Sequence, residues 1–220
     1  MKHFSDLHAT TESDFKLEIE MTTSCTLACP ACVRTTPFRK VNPDWNVGHI
    51  DKRVVLDAVR NSNYDQYVFC GAFGDAIYHP DFIEIFTELA ALDKKILIET
   101  NGAFRSTQWW QAVADIPWKY QHFLRFSIDG MPDTNHIYRV NSKWDSIQNG
   151  LNILKERKNE LRLIWKYLVF PYNEHQVEAA REFSRTLGFH KFNAVKSRRN
   201  YNPNIWKDDE QRRQIEWHNA

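Results

Sequence analysis

Three of the four cysteines in this chain lie close together, at Cys25, Cys29 and Cys32. Thiolates are soft ligands that select zinc or iron–sulfur clusters. A closed structural zinc site takes four ligands, usually from two Cys-x-x-Cys hooks, and the sequence has one such hook. Three thiolates on a four-iron cluster would leave one iron open to another ligand. The spacing therefore favours a [4Fe–4S] cluster over a closed zinc site.

The fourth cysteine, Cys70, lies far from this motif in a short apolar segment. We expect it to be a small buried side chain and not a fourth ligand. Clustered cysteines of this kind do not suit a secreted disulfide framework, and they do suit metal binding in a reducing compartment. The N-terminus lacks the apolar stretch of a signal peptide, and no apolar run is long enough to span a membrane. We therefore expect a cytoplasmic protein.

The overall composition predicts a folded chain with no strong charge bias. Hydrophobic residues make up 42% of the 220 residues and aromatic residues 14%, which is not a disordered composition. The formal net charge is +1, so no broad basic field points to a nucleic acid partner. A short basic run at 196–199 is interpreted as a solvated loop.

Strand-like and helix-like segments alternate along the chain. Helices are expected to begin at the capping residues Asp51, Ser106 and Asn173, and Gly188 is expected to end the last of these. Further helical patterns cover 82–89, 144–158 and 208–217, the last of them polar. The strand patterns are at 16–21, 66–70, 95–99, 122–127, 161–170 and 189–195.

Six strand–helix units in strict alternation predict an α/β fold with a parallel sheet. Because a full TIM barrel needs eight units, we expect a curved, open partial barrel of the (β/α)6 type. The expected domains are an N-terminal extension at 1–15, a core at 16–200 and a C-terminal tail or helix at 201–220. The cysteine motif and three polar turns each follow a strand, so they should meet at one rim of the sheet.

The spacing Cys-x3-Cys-x2-Cys resembles the signature of the radical S-adenosylmethionine (radical SAM) superfamily. The resemblance implies that Cys25, Cys29 and Cys32 hold a [4Fe–4S] cluster whose open iron binds S-adenosylmethionine. It also implies reductive cleavage of that cofactor to a 5′-deoxyadenosyl radical, which abstracts hydrogen from a substrate.

Segment 71–82 resembles the Gly-Gly-Glu-Pro segment of the same family. The match implies that Phe73, Gly74 and Asp75 hold the amino group of the cofactor through backbone carbonyls and one carboxylate. This segment departs from the family pattern at two positions, since Asp75 stands in place of Glu and Ala76 in place of Pro.

The polar turns after the third and fourth strands also resemble family motifs that contact the ribose and carboxylate of the cofactor. The match carries over Thr100, Asn101, Ser127 and Asp129, for which ordinary Asx turns are the alternative. It further suggests Arg139 for the cofactor carboxylate and Leu168 and Phe170 for the adenine pocket. Surface placement of Arg139 and core packing of the two apolar residues are the alternatives. The family usually has an aromatic residue before the last cysteine, whereas this chain has Ala31.

The resemblance covers about 17–195 and is closest to the short branch related to molybdenum-cofactor synthesis and SPASM-like enzymes. No cysteine follows Cys70, so either this member works with one cluster or the sequence is the core of a longer protein. The expected enzyme accepts electrons from an external donor such as flavodoxin or ferredoxin. Its substrate is either a peptide or protein or a nucleotide-like small molecule. A glycyl-radical activase and a non-enzymatic iron–sulfur or zinc module are the alternatives.

Overall fold

The sheet of this protein contains six parallel strands in the order in which they occur along the chain. The computed structural model describes residues 15–35, 47–156 and 160–197. Every pair of neighbouring strands in the sheet is parallel. The strands are β1 (Lys16–Ile19), β2 (Gln66–Phe69), β3 (Ile96–Thr100), β4 (His122–Ser127), β5 (Arg162–Val169) and β6 (Lys191–Lys196).

A helical connection follows each of the first five strands, which makes the fold an open α/β partial barrel, as the alternating pattern predicted. Short 3₁₀ turns at Ala76–Tyr78 and Glu174–Gln176 precede the helices that follow β2 and β5. The helices are α1 (Lys52–Arg60), α2 (Phe82–Ala90), α3 (Thr107–Asp115), α4 (Asn135–Tyr138), α5 (Trp144–Glu156) and α6 (Val177–Thr186).

The main core lies between the sheet and the helices. Successive residues of a strand point to opposite faces, and on one face they are almost all large and apolar. Tyr67, Ile98, Phe126 and Trp165 are completely or almost completely buried there. From α3, the buried Trp110 stacks on Phe126.

The opposite face of the sheet carries a second, smaller apolar cluster. Val68, Leu97 and Ile164 form it, with Phe123 and Cys70 packed at its margin. Val68 lies beside Leu97, and Leu97 lies beside Phe123, in adjacent strands. Among the described residues, the helices therefore cover one face of the sheet with a full core, while the other face carries a thin apolar layer.

Two of the three predicted helix caps are confirmed. The Asp51 side chain accepts a hydrogen bond from the backbone N–H of Arg53 at the start of α1. Ser106 accepts one from the N–H of Trp109 at the start of α3. Such caps satisfy backbone donors that have no partner within the helix.

The third prediction, that Asn173 caps the helix after β5, is wrong. The chain first forms the 3₁₀ turn, and α6 begins at Val177. The side chain of Asn173 is engaged elsewhere, because its Oδ1, the atom that would cap a helix, accepts the backbone N–H of Phe170 at 2.7 Å. Its Nδ2 donates to the carbonyl oxygens of Asp129 and Leu168 at 2.9 and 3.0 Å. Gly188 follows the helix with a φ of +84°, the left-handed conformation expected just after a helix end.

The predicted N-terminal extension lies almost entirely outside the described residues. The C-terminal tail, its polar helix at 208–217 and the end of the basic run at 196–199 also lie outside them. Within the described ranges, no helix combines the length and apolar character that crossing a bilayer requires.

The buried His122 gives the fold a predicted dependence on pH. Its Nδ1 accepts the backbone N–H of Lys119 at 2.9 Å, and burial together with the nearby Lys119 charge lowers the histidine pKa below its ordinary value. The unfolded chain therefore takes up this proton first, at a pKa near 6.5. The free energy of unfolding should fall as pH drops below about 6.5 and should not depend on this group above that pH.

We expect His122→Asn, which keeps an acceptor but cannot be protonated, to lose less stability than the wild type between pH 7.5 and 5.5. Urea unfolding at several pH values measures the difference. The other histidines supply a background that both proteins share, so identical pH slopes would contradict the role given to His122.

Candidate cofactor site

A cavity of about 110 Å³ lies at the carboxyl ends of the strands. All three cysteines of the motif line it, together with residues that follow β2, β3 and β4. The loops that follow different strands of a parallel sheet meet at this edge, as the fold predicts. The predicted cofactor residues that line the cavity are Gly74, Asp75, Thr100, Asn101, Ser127, Arg139 and Leu168.

The three thiols of the cysteine motif line one cavity. Within residues 15–35, 47–156 and 160–197, no three His, Cys, Asp or Glu side chains are grouped around one metal position. A zinc ion needs its sulfur ligands at about 2.3 Å from one centre. Each cysteine of a four-iron cluster binds a different iron, so its thiols must share a cavity without meeting at a point.

Hydrogen bonds hold the cysteine loop against its neighbours. Arg34 donates to the carbonyl oxygens of Cys25 and Leu27, which fixes the loop from its own C-terminal side. The N–H of Ala28 donates to the carbonyl of Val140 at 3.1 Å. The loop is therefore attached both to itself and to the segment that carries Arg139.

Burial controls the ionisation of the thiols. It raises the pKa of Cys25 to about 12, despite the opposing effect of the Arg34 charge. Burial also raises the pKa of Cys29, against the effect of Arg139. Both groups are therefore protonated thiols near neutral pH, and a metal that binds them must displace their protons.

The loop after β2 runs very close to the cysteine loop. Glu20 accepts the N–H groups of Ala72 and Phe73 and holds the start of this loop. A Cβ atom added at Gly74 would lie 2.0 Å from the carbonyl oxygen of Thr22. Only glycine permits this approach, which brings the backbone of the loop to the edge of the cavity.

Asp75 joins three loops at the rim. Its N–H donates to the carbonyl of Ser24 at 2.8 Å, next to the cysteine motif. Its carboxylate accepts the backbone N–H of Asn101 at 2.7 Å and the Thr100 hydroxyl at 3.2 Å. Burial raises the pKa of Asp75, and these hydrogen bonds from the β3 turn oppose that increase.

Asp129 and Arg139 form a buried ion pair beside the motif. Arg139 Nε lies 2.6 Å from one carboxylate oxygen of Asp129, and the other oxygen accepts the N–H of Leu168 at 2.8 Å. One Arg139 nitrogen also lies 3.9 Å from the Cys29 sulfur. The Asp129 side chain is completely buried, so it is positioned to hold Arg139 and β5 in place.

The remaining predicted residues differ in their surroundings. Ser127 and Leu168 line the cavity. Phe170 is buried in the core, where its ring packs on Tyr138 and Tyr172. Phe73 lies in the loop that Glu20 holds, and the cavity is lined by its neighbour Gly74.

Sequence reasoning did not identify Arg34, Glu20 or Lys166. Arg34 and Lys166 line the cavity, and Lys166 lies 3.7 Å from Glu99, which also lines it. A cation two residues after the last cysteine was an available signal for Arg34. Lys166 could have been found because it lies two residues before Leu168, which places the two side chains on the same face of β5.

A second cavity, of about 340 Å³, lies on the sheet face that bears the thin apolar layer. Val68, Leu97, Phe123 and Ile164 are among the residues that line it. Gly71 and Glu99 line both cavities, so the two adjoin at the carboxyl ends of the central strands.

Comparison with known proteins agrees with this geometry. A family model described as the Radical SAM superfamily matches residues 19–184. No curated protein sequence matches the chain.

Several solved structures share the fold. The protein anSMEcpe, in a structure with bound AdoMet (S-adenosylmethionine), has a TM-score of 0.60 and 16% identity over 82% of this chain and 51% of that one. SuiB of Streptococcus suis, bound to precursor peptide SuiA, gives 0.61 and 13% over 91% and 46%. TYW1 with a lysine-pyruvate adduct bound gives 0.54 and 15% over 81% and 63%. The chain thus spans about half the length of the structures that it matches.

Replacement of Gly74 should disturb the contact between the two loops. Gly74→Ala places a methyl group against the Thr22 carbonyl, and we expect the free energy of unfolding to fall by about 1–3 kcal/mol. Gly48→Ala is the matched control, because nothing lies within 4 Å of its added Cβ. Urea unfolding measures both variants, and an equal effect of the two would contradict the close approach at Gly74.

The Asp129–Arg139 pair should show strong coupling. Arg139→Met leaves the Asp129 carboxylate buried without its cation, and we expect a loss of about 3–5 kcal/mol. Addition of Asp129→Asn removes the isolated charge, so the double variant should lose less than the sum of the two single variants. A double-mutant cycle in urea measures the coupling, and simple additivity would show that the pair is not energetically linked.

Proposed function

Because the chain belongs to the radical SAM superfamily, we propose that Cys25, Cys29 and Cys32 hold its [4Fe–4S] cluster and that it cleaves S-adenosylmethionine reductively. The observation that carries this proposal is the single cavity that the three thiols share with residues after β2, β3 and β4. Membership of this family supports a radical SAM enzyme with these two cofactors, and the residue assignments are part of the proposal.

When bound, the cluster and S-adenosylmethionine would together supply the one-electron chemistry that starts hydrogen abstraction from the substrate. The protein supplies position and shelter for this chemistry. The cysteine loop, fixed by Arg34 and by the bond from Ala28 to Val140, sets where the thiolates lie.

The cavity offers groups that suit parts of S-adenosylmethionine. The backbone carbonyl of Gly74 and the carboxylate of Asp75, which line it, would receive the amino group, since an ammonium needs acceptors. The carbonyl of Phe73, in the same loop, would join them. Ser127 and Arg139 would receive the carboxylate, to which a guanidinium is well matched. Thr100 and Asn101 would border the ribose, and Leu168 would lie along the adenine.

Asp129 and Phe170 support this site from behind. Asp129 holds the Arg139 guanidinium, and both of its carboxylate oxygens are engaged by the protein. Phe170 packs under the end of β5, two residues beyond Leu168. Their proposed contribution to cofactor binding is therefore to position Arg139 and Leu168.

The substrate would bind in the cavity on the thinly covered face of the sheet. That cavity adjoins the cofactor site at Gly71 and Glu99, so a substrate there would lie next to the site where the radical forms. The apolar strip of Val68, Leu97 and Ile164 would contact it. A peptide or protein substrate is favoured, because SuiB, whose fold is similar, has been solved bound to a precursor peptide.

The proposed enzyme works in the cytoplasm with an external electron donor such as flavodoxin or ferredoxin. The reduction step requires a low-potential donor, and the residues assigned to the site include no second redox centre. A nucleotide-like small molecule is the alternative substrate class.

A comparison of two cysteines tests the cluster assignment. After anaerobic reconstitution, the wild type should hold about four irons per chain. Cys29→Ala should lose most of this iron and should abolish release of 5′-deoxyadenosine from S-adenosylmethionine under reducing conditions. Cys70→Ala is the matched control for iron content, because Cys70 does not line the cysteine cavity.

Iron analysis and chromatography of the nucleoside products supply the two measurements. Wild-type iron content in Cys29→Ala would refute the ligand set. Zinc without iron in anaerobically purified wild-type protein would refute the cluster itself.

A further inference from the structure

We propose that Asn101 is a positioning residue that donates a side-chain hydrogen bond to the Cys25 sulfur and thereby raises the reduction potential of the cluster. The proposal rests on the function proposed above, because it requires Cys25 to be a cluster ligand. It adds a role for the turn after β3 that is separate from any contact with S-adenosylmethionine.

The relevant contact joins two residues that are distant in sequence. Asn101 Nδ2 lies 3.4 Å from Cys25 Sγ, which is within hydrogen-bonding distance for sulfur. The same nitrogen lies 2.5 Å from one carboxylate oxygen of Asp75. Because an amide nitrogen carries two hydrogens, it can donate one to the carboxylate and one to the sulfur.

The orientation of the amide is fixed by its other end. Asn101 Oδ1 accepts the backbone N–H of Ala103 at 2.8 Å. If the amide were rotated by half a turn, its oxygen would face the Asp75 carboxylate and the Cys25 sulfur, and its N–H₂ would face the Ala103 N–H. The contacts with the Asp75 carboxylate and with the Ala103 N–H would then be repulsive, so the donor is directed at Asp75 and Cys25.

The surroundings make this arrangement rigid. Asn101 is 5% exposed and Asp75 is 4% exposed. The Asp75 carboxylate also accepts the backbone N–H of Asn101 and the hydroxyl of Thr100, so it holds the whole turn. The short aspartate side chain, at the position where the family motif has glutamate, therefore has a direct structural use in this chain.

An N–H group near a ligating sulfur affects the two redox states unequally. The reduced cluster carries one more negative charge than the oxidised cluster, and the positive end of the N–H dipole stabilises that charge. Hydrogen bonds to cluster sulfurs are among the factors that set the reduction potential. Loss of the bond from Asn101 should therefore make the cluster harder to reduce.

A redox titration of reconstituted protein, followed by electron paramagnetic resonance without S-adenosylmethionine, tests this effect. Asn101→Leu removes the donor and keeps a side chain of similar size. We expect the ratio of reduced to oxidised cluster at a fixed potential to fall by about 2- to 10-fold, where tenfold equals 59 mV for a one-electron couple.

Thr100→Val is the matched control. It removes another donor to the same Asp75 oxygen, yet Thr100 is not the residue that contacts the sulfur. Its midpoint potential should stay close to that of the wild type. If Thr100→Val shifts the potential as far as Asn101→Leu does, a general disturbance of the turn explains both results and the proposal is overturned.

A second measurement does not depend on any variant. Wild-type protein grown with ¹⁵N-labelled asparagine should show a magnetic coupling between the reduced cluster and a ¹⁵N nucleus in pulsed electron paramagnetic resonance. Absence of that coupling would overturn the proposal even if Asn101→Leu failed to fold.

The two proposals can fail separately. If the wild type assembles no four-iron cluster, the proposed function fails. If the wild type holds a cluster and cleaves S-adenosylmethionine, but Asn101→Leu has the wild-type potential, only the role of Asn101 fails.

Discussion

The buried Asp75 carboxylate is the contact on which the geometry of the site depends. Its hydrogen bonds connect the loop after β2 to the turn after β3, and its own N–H connects that loop to Ser24, just before the first cysteine. A buried carboxylate is costly unless donors surround it, so the loops must stay together to keep the charge satisfied. Relative movement of the cysteine loop and the β3 turn would break several of these bonds at once.

A second buried carboxylate, that of Asp129, connects further elements beside the cavity. Asp129 follows β4, binds the N–H of Leu168 in β5 and holds Arg139 next to Cys29. Its carbonyl oxygen accepts the amide of Asn173, which connects the segment after β5. Two acidic residues thus fix the ends of neighbouring strands, and the cysteine motif lies between the elements that they hold.

The two faces of the sheet differ in how the described residues cover them. The helix-covered face contains large buried aromatic side chains, including Trp110, Phe126 and Trp165, and their burial contributes to the apolar stabilisation. The other face has three buried apolar residues and many charged ones, and it borders the larger cavity.

The sequence by itself determined the order of strands and helices, the caps at Asp51 and Ser106 and the cysteine spacing, because these depend on residues near one another in the chain. Parallel strand order then required the polar turns to share one rim. Only the tertiary structure decided which side chains meet there. The contact of Asn101 with Cys25 spans 76 residues, and Asp129 takes up Arg139 and Leu168 together. Local periodicity cannot specify such contacts, since they depend on how the loops are directed once the sheet has formed. At Asn173 a capping residue type was present in the sequence, but in the folded chain its Oδ1 accepts the N–H of Phe170 and its Nδ2 donates to the distant Asp129 carbonyl, so it does not cap the helix.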